Sequence, residues 1–109
     1  MLDLRIRPQA ESDIDEIITW LLENNPAEAT RFVMELRDTF ELLAENPLIG
    51  ATRQYRLPAL RGIRMFPLKK YSAYLIFYLN SQDTLEIVRV LHGRRDLQGL
   101  FNDSDESAG

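Results

Sequence analysis

Residues 71–91, YSAYLIFYLNSQDTLEIVRVL, decide the fold. Tyr71 to Leu79 is apolar at both odd and even positions, so both of its faces must be covered, and a strand covered on both faces belongs in the middle of a sheet. Leu85 to Leu91 is rich in β-branched residues and reads as the next strand, with the polar stretch Asn80 to Thr84 as a hairpin loop between them. Working back, Leu60 to Phe66 is a strand that Pro67 ends, and Pro67 to Lys70 is a second hairpin loop. The spacing therefore predicts a three-stranded antiparallel meander.

The first half has a different period. Leu2 to Arg7 alternates, with Leu2, Leu4 and Ile6 on one side, and reads as a half-buried strand that Pro8 stops. From there Ala10, Ile14, Ile17, Ile18, Leu21 and Leu22 fall on one helical face, which predicts a helix over about Pro8 to Glu23. Asn25-Pro26-Ala27-Glu28 is a restart signal, with Asn25 as cap and Pro26 in the first helical position. A second helix follows, carrying Ala29, Phe32, Val33, Leu36, Phe40 and Leu43 on one face until Asn46-Pro47 stops it. So short a connection makes an antiparallel helical hairpin, which must cover one face of the sheet for either layer to bury its apolar side. Leu48 to Pro58 reads as a connecting loop. The expected fold is α+β, with residues 1–101 as a single domain in which Leu97, Leu100 and Phe101 could dock, and residues 102–109, NDSDESAG, as a mobile acidic tail.

The chain has 109 residues, no cysteine and one histidine, which excludes a disulfide framework, a thiolate metal site and a multi-histidine metal site. No metal and no cofactor is expected. With no membrane-spanning run and no signal segment, the expectation is a soluble cytoplasmic protein. The net charge of −4 conceals a polarised molecule. Residues 1–50 set four arginines against eleven acids, −7; residues 51–95 set nine bases against only Asp83 and Glu86, +7; the last fourteen residues carry four acids and no base. A basic half suits an anionic partner, either nucleic acid or an acidic protein segment, while the acidic total weakens the case for indiscriminate nucleic-acid binding; no direct sequence-specific nucleic-acid binding is expected.

The order of elements, together with several short segments, resembles the RelE/ParE superfamily of bacterial toxin–antitoxin toxins. The segments are Pro8-Gln9-Ala10-Glu11-Ser12-Asp13-Ile14, Asn46-Pro47-Leu48-Ile49-Gly50, Leu60-Arg61-Gly62-Ile63-Arg64, Tyr74-Leu75-Ile76-Phe77-Tyr78 and Ile87-Val88-Arg89-Val90-Leu91-His92-Gly93-Arg94-Arg95-Asp96. The last looks most like the ParE branch, which includes plasmid stabilisation toxins. The resemblance implies a toxin that inhibits DNA gyrase and is silenced in a hetero-oligomer with a ParD-like antitoxin. Two alternatives stay open: a RelE-like toxin that cuts messenger RNA on the ribosome, and an inactive chain that serves only as an antitoxin-bound partner.

For RNA cleavage the candidates are Arg64 and Arg89 to hold a phosphate and His92 as acid or base. The RelE-like pattern also supplies an aromatic or acidic group near its C-terminal end, whereas here Gly93 follows His92 and no tyrosine follows Tyr78. For target or antitoxin binding the candidates are Arg61, Arg64, Lys69, Lys70, Arg89, His92, Arg94 and Arg95. Several have a plain alternative. A histidine at a strand end commonly bonds nearby backbone, Arg94-Arg95-Asp96 can be a solvated turn, and Arg61 and Arg64 point to opposite faces of a regular strand unless Gly62 marks a bulge. The aromatic residues of the middle strand read as core rather than as a platform for bases. Trp20 falls outside the apolar stripe of its helix.

Overall fold

The computed structural model describes residues 1–54 and 60–96. In chain order these form β1 (Asp3–Ile6), α1 (Pro8–Asn24), α2 (Pro26–Glu45), β2 (Ala51–Thr52), β3 (Arg64–Pro67), β4 (Tyr74–Asn80) and β5 (Thr84–His92). The strands make one sheet in the order β1-β5-β4-β3-β2, antiparallel throughout except that β1 runs parallel to β5. The expected meander is β3-β4-β5, with the doubly apolar strand at its centre. The expectations for Leu97 to Phe101 and for the acidic tail lie outside the described residues.

The helical hairpin covers one face of this sheet. Ala10, Ile17 and Leu21 of α1 and Phe32, Leu36, Phe40 and Leu43 of α2 are buried against Ile76, Tyr78, Leu85, Ile87 and Val90. Burying an aliphatic or aromatic side chain of this size contributes about 1.5–3 kcal/mol, so this layer is the main source of stability. The other parity of β4 is covered as well: Phe77 packs with Val88 and Leu91 of β5 against Leu60 and Ile63, on the face away from the helices. Both apolar parities of the quoted stretch are thereby accounted for.

Several local readings are corrected. The expected connecting loop contains β2, whose two residues pair with Arg64 and Met65. The strand expected from Leu60 starts at Arg64, because residues 60–62 form a tight turn in which Gly62 takes φ 82°. Gly62 is thus a turn residue rather than a bulge. The bulge lies instead in β5, where Phe77 faces Arg89 and Tyr78 faces Ile87, leaving Val88 as the extra residue. This shift is why Ile87 and Val90, three positions apart, both join the helix-side core. The middle strand begins at Tyr74 rather than Tyr71. Asn25 ends α1 and opens α2 without a side-chain cap, and Glu28 bonds the Tyr71 hydroxyl instead of closing a capping box. Leu22, expected in the core, is exposed.

Candidate functional site

The sequence-predicted residues fall into two groups, those tied into the fold and those left on its rim. Arg64 belongs to the first. Its guanidinium donates to the carbonyls of Leu48 (3.1 Å) and Gly50 (2.8 Å). Beside it the Tyr78 hydroxyl donates to the Pro47 carbonyl (2.7 Å) and accepts from the Gly50 N–H (2.9 Å). Arg64 and Tyr78 are cross-strand neighbours, so one position on the sheet grips the whole 47–50 turn. Gly50 is required there, since a Cβ would lie 2.5 Å from the Tyr78 hydroxyl oxygen. Burial pushes the Tyr78 phenol up from its ordinary pKa, which keeps the proton it donates.

Arg89 is tied on the opposite flank. Its guanidinium makes two bonds to the Asp13 carboxylate of α1, at 2.8 and 2.9 Å, and the same carboxylate accepts the Val90 N–H at 3.0 Å. β1 ends at Ile6, so the last residues of β5 lie at a sheet edge, and Asp13 closes part of that edge.

His92 caps the helical residues 93–96. Its Nδ1 accepts the Arg95 N–H (3.2 Å), and its backbone N–H donates to the Asp96 carboxylate (2.9 Å). The ring stands edge-on to Tyr74 with centroids 5.2 Å apart. Burial works against the Asp96 charge, but the Arg95 guanidinium and the His92 N–H outweigh it and hold the carboxyl below its usual range. Arg64 pairs with Tyr78 and His92 with Tyr74, four residues apart on β4. At the usual rise this separates them by about 13 Å along the sheet.

The rim group is split between the two ends of the sheet. Lys69 and Lys70 in the β3–β4 turn and Arg94 and Arg95 beyond β5 share one end, joined through the Gly93 N–H to the Ala73 carbonyl (2.7 Å). Arg95 pairs with Asp96, whereas Lys69 and Arg94 are exposed cations. Arg61 is exposed at the other end. The eight candidates therefore do not converge on one groove.

A groove that sequence reasoning missed lies on the helical side. Between β1 and the hairpin, Leu4, Ile6, Ile14, Val33, Phe40 and Ala44 line an apolar depression of about 440 Å³ with Arg37 and Glu41 among its walls. A shallower one of about 310 Å³, between α1 and α2, continues it through Val33 and Arg37 to Leu22 and Met34. The usable signal is the width of the apolar stripes, since Ile14, Ile18, Leu22 and Val33 extend beyond what one sheet face buries. Among the described residues no group of three His, Cys, Asp or Glu side chains could hold a metal ion. None of the described helices is long and apolar enough to cross a membrane.

A helical hairpin laid on one face of a mixed sheet, with a central meander of this order, is a ParE-like fold. More particularly, residues 4–97 match the model of the ParE toxin of type II toxin–antitoxin systems, parDE, and the chain belongs to that family. Among solved structures it is similar to a chain of the chromosomal ParDE toxin–antitoxin system from P. aeruginosa, at 20% identity and TM-score 0.67, over 84% of this chain and 96% of that one. No match was found among curated proteins.

Proposed function

We propose that this ParE-family chain acts by binding: it inhibits DNA gyrase in the cytoplasm and is neutralised by a ParD-like antitoxin, with no covalent chemistry of its own. The observation that carries the reading is the state of the three residues a nuclease would need. Arg64 is spent on two backbone carbonyls, Arg89 on Asp13, and His92 on the Arg95 N–H. To hold a phosphate Arg89 would have to give up Asp13, and the Arg64 and His92 positions lie about 13 Å apart along the sheet.

The antitoxin reading draws on the groove between β1 and the hairpin. The N–H groups of Asp3 and of Arg7, just past β1, donate to the carbonyls of Asp83 and Ile87, so by the alternation of a strand the backbone groups of Leu4 and Ile6 point outward beside the groove their side chains line. An amphipathic antitoxin helix fits the depression and an extended segment fits the strand edge. Acidic residues on that segment would reach the rim cations, so affinity should fall partly, not wholly, as salt rises. An affinity independent of ionic strength would remove the electrostatic part of this reading.

The deciding experiment is expression without antitoxin, followed by assays of gyrase supercoiling and of ribosome-bound message. Loss of supercoiling with intact message is expected. Cleavage of message that His92→Ala abolishes would overturn the proposal in favour of the nuclease. An adjacent reading frame encoding a small antitoxin is also expected.

A further inference from the structure

The segment Asn46 to Gly50 has no place in the groove, yet the fold spends much to hold it. Four hydrogen bonds with the Arg64 and Tyr78 side chains fix the backbone of residues 47–50, and Gly50 lies against the Tyr78 ring with no room for a side chain. What this rigid turn presents outward is apolar: Leu48 is 66% exposed and Ile49 45% exposed. A single exposed leucine is ordinary. Two adjacent aliphatics on a turn with so little freedom have already met most of the ordering cost that a contact would impose. Such a preformed pair has the character of an interface anchor.

We propose that the Leu48–Ile49 turn is the toxin's contact with its protein target, and that the target offers an apolar socket bordered by carboxylates. The charge of the partner follows from the neighbourhood. Between Glu45 and Asp83 the sequence has no acidic residue, and Arg61 is exposed just before β3, the strand that pairs with β2. The partner differs from the antitoxin because the two surfaces lie at opposite edges of the sheet: β1 borders the groove and β2 follows the turn. With strands about 4.8 Å apart, those edges are roughly 19 Å from each other. A peptide seated beside β1 leaves the turn exposed.

This inference rests on the reading of the chain as a toxin with a protein target, and the test separates the two. The double variant Leu48→Ser, Ile49→Ser is compared with Val33→Glu in the groove, each assayed for thermal unfolding, antitoxin affinity, inhibition of purified gyrase and growth arrest on induction. Both variants should unfold near the wild-type temperature. The turn variant should need at least tenfold more protein for half-inhibition of supercoiling while binding antitoxin within twofold of wild type, and the groove variant should show the reverse. Arg61→Glu should weaken inhibition about threefold, with the loss growing as salt falls.

Unchanged inhibition by the turn variant would overturn the inference, as would equal losses of inhibition and antitoxin binding. If the wild type arrests growth without inhibiting gyrase, the gyrase reading fails. The growth-arrest comparison of the same two variants then decides whether the turn is the target contact. A wild type that arrests nothing overturns both.

Discussion

At its β1 flank the sheet ends in open backbone, whereas at its β2 flank it ends in a turn bolted down by side chains. Leu4 and Ile6 leave their peptide groups facing out above an apolar groove, and only beyond the end of β1 does Asp13 close the edge of β5. On the other side β2 is two residues long, and Arg64 and Tyr78 hold the residues before it. An open edge beside a groove accommodates a segment that orders as it binds, while a fixed turn offers little adaptation but a low ordering cost. Two partners of different kinds can therefore be served by one small sheet.

Breaking the clamped flank should cost most. Gly50→Val places a methyl-bearing Cβ on the Tyr78 ring, 2.5 Å from its oxygen, and the turn must move. A loss of about 3 kcal/mol is expected in urea unfolding, with target inhibition falling further than antitoxin binding. Tyr78→Phe should cost about 2 kcal/mol, because it leaves the Pro47 carbonyl and Gly50 N–H unmatched. The open flank should be more forgiving at Asp13. Asp13→Ala strands the Arg89 guanidinium and the Val90 N–H, but both side chains of the pair keep some solvent contact, so about 1.5 kcal/mol is expected. Hydrogen exchange should then speed up at Val90 while Ile76, deep in the centre of the sheet, keeps its protection.

The contrast between the flanks was only half legible. Periodicity is a local property, so the helices, the centrality of β4 and the meander could be read from it. The uses of Arg64 and Arg89 could not, since their partners are 16 and 76 residues away. Their positions on neighbouring segments of sheet give them the look of a phosphate site, and only the folded chain shows Asp13 and the carbonyls of Leu48 and Gly50 meeting them. β2 is too short to carry a period, and the Val88 bulge reverses the alternation that would have announced it. The groove escaped notice because three elements build it, each of which reads separately as a core face.

The smallest effect asks how far the stiffness of the clamped flank extends towards the β3–β4 turn. There α2 holds the turn through Glu35, which accepts the Lys70 N–H, and through Glu28, which accepts the Tyr71 hydroxyl. The Tyr71 bond holds the Glu28 carboxyl below its usual range, with Arg31 adding to it, while burial and the Glu28 contact push Tyr71 up to about 12. Glu28, with its folded pKa depressed, supports the fold above the ordinary value of 4.5, and that support is lost as pH falls through the lower folded value. Tyr71, with its folded pKa raised, supports the fold fully below 10, and that support is lost as pH climbs to about 12. Tyr71→Phe should therefore be less stable than wild type at pH 7, by less than the Asp13 variant. The difference should shrink towards both extremes, with the Tyr78 titration common to both proteins and cancelling. A gap between the two unfolding curves that stays constant from pH 3 to 11.5 would mean that Tyr71 acts through its ring packing on Phe32, 5.5 Å between centroids, and not through the hydroxyl.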